Sequence, residues 1–135
     1  MNALGWIITG AVGITAAALI IKKTSTSKAN LIRDALKKQI ISSAEDIDEL
    51  KFADVTAWFK TLPLIKGKHI PFVAKASKFA ELLKIDKLEV KENSYIMGVY
   101  DDNKGEIEHI KLVHAQQVDA KFATMMGNEP IVVLE

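Results

Sequence analysis

The sequence has no cysteine and a single arginine, and its first 21 residues carry no charged side chain. The missing cysteine excludes disulfides, thiolate metal ligands and a cysteine nucleophile. One arginine is few for specific reading of bases and backbone phosphates, which favours a planar guanidinium fork, so nucleic acid is not an expected partner. The usual signatures of catalysis are missing as well. Ser42, Ser43, Ser77 and Ser94 have no G-x-S-x-G setting. The basic stretch Ile65-Lys66-Gly67-Lys68-His69 lacks the spacing of a phosphate loop. Asp101-x-Asn103-x-Gly105 begins like a calcium loop, but Glu106 and Leu112 stand where that pattern needs a glycine and a glutamate. His109 and His114 are an odd number of residues apart on an expected strand, so they face opposite ways, and His69 lies alone in a loop. No metal or cofactor is expected, and the reading leans away from an enzyme.

The uncharged stretch 1–21 is the most distinctive feature present. About 20 apolar residues in a helix cross the roughly 30 Å hydrocarbon core of a bilayer. Lys22, Lys23, Lys28 and Arg33 follow it at once, and positive residues stay on the cytoplasmic side. The expectation is a single-pass transmembrane helix over 1–21, a juxtamembrane linker over 22–30 and a cytoplasmic domain over 31–135. A signal peptide cut after Ala29 is the alternative, but it calls for positive charge before the apolar run. Gly5, Thr9, Gly13 and Ala17 recur every four residues and form one small-residue stripe, a surface suited to helix–helix packing in lipid.

Charge is uneven along the rest. Residues 22–91 hold 15 basic and 9 acidic side chains, whereas 92–135 hold 3 and 8. The basic half lies nearest the expected membrane, where anionic headgroups attract lysines. The lysines of 60–91 interleave with Phe72 and Phe79, but those phenylalanines fall on the apolar face of an expected helix, which favours a solvated basic face over a nucleic-acid surface.

Periodicity predicts helices over about 30–43, 45–62 and 71–83. The first has Ile32, Ala35, Leu36 and Ile40 inward. The second starts at a capping box, Ser42-Ser43-Ala44-Glu45, has a break near Phe52 as its alternative, and ends at Pro63; the third starts at Pro71. From Tyr95 the pattern alternates. Tyr95–Tyr100 and Glu106–His114 flank a turn sequence ending in Gly105, a hairpin in which Tyr100 faces Glu108, Gly98 faces Ile110 and Ile96 faces Leu112. Ile96, Ile110 and Leu112 then share a core face, while Tyr95, Met97, Val99 and Val113 make the other face half apolar and in need of a cover. A short helix over 116–126 capped by Gly127, then a strand after Pro130, complete the chain.

The fold class expected is therefore α+β: a transmembrane helix, then about three helices and a small antiparallel sheet. The function expected is binding, a scaffold that holds a protein partner or its own copies at the membrane. Two alternatives remain: a membrane-surface enzyme using a histidine as acid or base, and a membrane-active effector.

Overall fold

The computed structural model describes residues 21–79, 81, 84–85 and 90–134. In chain order its elements are β1 (Ile21–Lys23), α1 (Thr26–Leu36), β2 (Ile40–Ile41), β3 (Glu45–Leu50), α2 (Phe52–Lys60), β4 (His69–Lys75), a 3₁₀ turn (Ala76–Lys78), β5 (Lys84–Ile85), β6 (Ser94–Asp101), β7 (Glu106–Val118), α3 (Ala120–Met126) and β8 (Ile131–Leu134). Six strands form one sheet in the order β1-β8-β4-β6-β7-β3. All its pairings are antiparallel except β3 with β7, which is parallel. β2 and β5 make a separate parallel pair.

The β6–β7 hairpin is the centre of the sheet. Gly98 pairs with Ile110 and Ile96 with Leu112, as expected by counting back from a three-residue loop at Asn103–Gly105 with Asp102 opposite Glu106, although it is Asp101 that takes that place. Toward the tip the register slips. Val99 pairs with His109 but Tyr100 with Ile107, so Glu108 has no opposite residue. That β-bulge re-aims Glu108 and moves Tyr100 off the partner expected for it.

Helices cover both faces. α1 lays Ile32, Ala35 and Leu36 on one, against Phe72, Ala74, Ile96 and Leu112. α2 and α3 cover the other with Val55, Phe59, Phe122 and Met126, over Val73, Tyr95, Met97, Val99 and Val113. The half-apolar second face is thus covered from within the chain.

Several expectations are corrected. The sheet is mixed, not antiparallel. Among the described residues no helix is long and apolar enough to cross a membrane. Residues 1–20, which hold most of the expected transmembrane helix and the Gly5, Thr9, Gly13 and Ala17 stripe, lie outside the described residues. Ile21 belongs to β1, paired with Leu134, and the expected linker is divided between β1 and α1. The first helix starts earlier than predicted, at a Ser25 N-cap whose Oγ accepts from Lys28 N at 3.2 Å, and it ends at Leu36. The expected helix 45–62 is two elements. Glu45–Leu50 is drawn into a strand because the edge of β7 opposite β6 presents backbone that β3 satisfies along Val113–Val118. The expected helix 71–83 is strand β4 and the 3₁₀ turn. Its run Ile70-Pro71-Phe72-Val73-Ala74 sits between β6 and β8, and a short apolar run buried on both faces carries no helical or strand period of its own.

One carboxylate ties two helices together. Asp119 Oδ1 accepts from Phe122 N at 2.6 Å, capping α3, and its Oδ2 accepts from Phe52 N at 3.0 Å, in the first turn of α2. α2 has no capping side chain of its own at Lys51. Each cap contributes about 1 kcal/mol. Asp119→Ala is therefore expected to cost about 2 kcal/mol, and Asp119→Asn, which keeps one acceptor oxygen, less. Thermal unfolding of the two variants checks this; an alanine variant as stable as the asparagine variant would show that only one of the bonds matters.

Candidate functional site

The site arises where the sheet is incomplete. β4 pairs with β6 along all of His69–Lys75, but with β8 only from Phe72 to Ala74. Lys75 N donates to Pro130 O, on the β8 side of the strand. Strand alternation puts the nitrogens of Val73 and Pro71 on that side too. Pro71 has no N–H, so the ladder toward β8 stops there. A cavity of about 520 Å³ lies beside that end of the ladder. Ile70, Val133 and Leu134 give it an apolar wall. Lys23 of β1, Lys28 of α1 and Lys66 of the loop before β4 line it as well. Thr24 and Ser25 add hydroxyls.

His69 holds the loop that carries Lys66. It is 8 % exposed and also lines the cavity. Its Nδ1 accepts from Ile65 N at 2.8 Å, while Ile65 O accepts from Lys68 N at 3.1 Å and His69 N at 2.9 Å. Gly67, at φ +89°, makes the turn inside this clasp. The other ring nitrogen, Nε2, lies 2.9 Å from Glu108 Oε2 and 4.0 Å from Asp101 Oδ2. The β-bulge is what presents Glu108 to it.

Asp101 is wholly buried. Its Oδ1 accepts from Asn103 N at 2.9 Å and Lys104 N at 3.0 Å, fixing the hairpin turn. Its Oδ2 has no hydrogen-bond partner, and Lys68 Nζ stands 3.7 Å away. Burial pushes this carboxyl up, but the N–H groups of Lys104 and Asn103 and the Lys68 ammonium outweigh it and hold it below its ordinary value.

His69, Asp101 and Glu108 place one ligand atom each within 4.8 Å of one another, close enough to test against a metal ion. The group does not fit one. A neutral histidine that binds metal through Nε2 carries its proton on Nδ1. Ile65 N–H already points at Nδ1, so the proton sits on Nε2 and is donated to Glu108. The lone pair a metal needs is absent. Lys68 on Asp101 and Lys104 Nζ, 3.4 Å from Glu108 Oε1, supply positive charge instead.

No protein family, curated protein or solved structure matches this chain.

A second polar pair lies along the same hairpin. Ser94 Oγ accepts from Lys91 N at 2.8 Å and is 2.6 Å from His114 Nδ1. Ser94 is fully buried, and among the described residues no carboxylate oxygen lies within 4.0 Å of His114. A buried hydroxyl satisfied on both sides is a structural bond.

The expected membrane-surface cations are only partly gathered. Lys23 and Lys28 meet at the cavity, and Lys22 pairs with Val133 through its backbone. Arg33 is exposed five residues along α1 from Lys28, which turns it away from that rim. Lys66, His69, Asp101 and Glu108 were not foreseen as a group. The basic loop and the Asx-type turn were visible in sequence, but nothing local announced the bulge that joins them.

Proposed function

We propose that the chain is a binding protein and that the cavity beside β1 and β4 takes an anionic ligand with an apolar portion. The observation that carries this reading is the convergence of Lys23, Lys28 and Lys66 on a cavity walled by Ile70, Val133 and Leu134. Pockets that combine an apolar wall with a few convergent charges are the usual form of small-molecule sites. The two ring nitrogens of His69 are both engaged, which favours a positioning role over acid–base chemistry. The binding role expected from sequence is retained, and its place moves from residues 1–21 and the second sheet face to this cavity.

The test is a pair of six-carbon amphiphiles of opposite charge, hexyl sulfate and hexyltrimethylammonium, added to the full chain in detergent and followed by NMR. Hexyl sulfate is expected to shift the resonances of Lys28, Lys66, Ile70 and Val133, with an affinity that weakens as salt is raised. Lys66→Glu is expected to lower that affinity by roughly tenfold or more. Equal binding of the cation, or shifts centred elsewhere, would overturn the reading.

A further inference from the structure

We infer that the anion is a phosphate monoester, and that it competes with Asp102 for Lys28; this rests on the anion-binding reading above. Two of the three cavity lysines are already engaged with carboxylates. Lys28 Nζ lies 3.3 Å from Asp102 Oδ1 and Lys23 Nζ lies 3.8 Å from Glu129 Oε2. Lys66 has no carboxylate within 4.0 Å among the described residues. A monoanion entering the cavity meets one free ammonium and must match Asp102 charge for charge to gain a second. Coulomb energy scales with the product of charges, so a dianion wins that exchange where a monoanion draws. A phosphate monoester is nearly dianionic above its second pKa of about 6.

Geometry points the same way. The lining lysines come from β1, α1 and the Ile65–Lys68 loop, and Thr24 and Ser25 line the same cavity. Three terminal phosphate oxygens can face donors from several directions, while a carboxylate has two oxygens in one plane. Ile70, Val133 and Leu134 leave room for the ester's carbon portion. The competitor is free to leave without the hairpin unfolding, because Asp102 stays anchored through its backbone N, which donates to Lys68 O at 2.9 Å. Its side chain is 42 % exposed and hydrates readily once released.

The experiment is calorimetric titration of the full chain at pH 8 with hexyl phosphate, hexanoate and inorganic phosphate, repeated with Lys28→Ala and Asp102→Asn. Hexyl phosphate is expected to bind roughly tenfold more tightly than hexanoate, and more tightly than inorganic phosphate, which lacks the apolar portion. Lys28→Ala weakens it. Asp102→Asn tightens it by a few-fold, a gain that a damaged fold does not produce. Hexanoate binding as well as hexyl phosphate would overturn the phosphate assignment and leave the anion reading standing. If none of the three binds, both fall. An unchanged affinity in Asp102→Asn would remove the competition. Displacement of hexyl phosphate by phosphatidylcholine vesicles carrying phosphatidic acid, but not by glucose 6-phosphate, assigns the ester to a lipid; the reverse assigns it to a soluble metabolite.

Discussion

Replacing Phe72 with alanine is expected to cost about 3–5 kcal/mol, the range for an aromatic removed from a packed core. Domains of this size are stable by only about 5–15 kcal/mol, so the variant would be close to unfolding. The ring is fully buried and lies directly over Gly98, its partner on β6. A Cβ added at Gly98 would stand 2.7 Å from Phe72 Cζ, 2.9 Å from Cε2 and 3.0 Å from His109 O. The glycine is there for space and not for backbone freedom, since its φ is not positive. Gly98→Ala should therefore destabilise by about 1–3 kcal/mol through overpacking. The two sites are coupled, so the penalty of Gly98→Ala should shrink by at least 0.5 kcal/mol when Phe72 is leucine. Urea unfolding of the two single variants and the double variant measures this. Strict additivity would mean that the ring is not what excludes a side chain at position 98.

Asp101 is the second position where a large effect is expected. Asp101→Ala removes the Oδ1 acceptor that fixes Asn103 and Lys104 in the hairpin turn, and it leaves Lys68 and His69 facing a void. The loss should carry a pH signature. The folded carboxyl lies below its ordinary value, so the unfolded chain takes up a proton first as pH falls. The stability it supplies is present above the unfolded value of about 3.9 and is lost as pH drops through the lower folded value. The difference between the native chain and Asp101→Asn should therefore be largest at neutral pH and vanish in strong acid. Denaturant midpoints collected from pH 7 downward test it. A constant difference across that range would show that Asp101 acts through shape and not through charge.

These two positions explain why the cavity is as ordered as it is. Phe72 and Gly98 set the close approach of β4 to β6, which carries His69 to Asp101. Asp101 and Glu108 then hold His69, and His69 holds the loop bearing Lys66 through Ile65. Of the cavity's lysines, Lys66 is thus supported from the core outward through His69.

Composition and local pattern determined a good deal. The turn sequence ending in Gly105 was enough for the inner register of the hairpin, with Ile96 and Leu112 on the core face, although the loop is one residue longer than expected and the bulge at Glu108 makes up the difference. A glycine at 127 marked the end of α3 and has the positive φ of 56° that ends it, but Gln116–Val118, expected in that helix, belong to β7. An α+β fold followed from such signals. Tertiary structure decided the rest. Glu45–Leu50 has the caps and acids of a helix start, but the unpaired backbone of β7 outweighs propensities of a few tenths of a kcal/mol per residue. His69–Lys75 is a strand because neighbours on both sides claim its backbone. Glu108 reaches His69 through a bulge, a feature of two strands together and not of either one. The cavity exists because Pro71 stops one ladder while β1 and α1 fold back to its edge. Each of these is a relation between distant segments, and period and composition report only on neighbours along the chain.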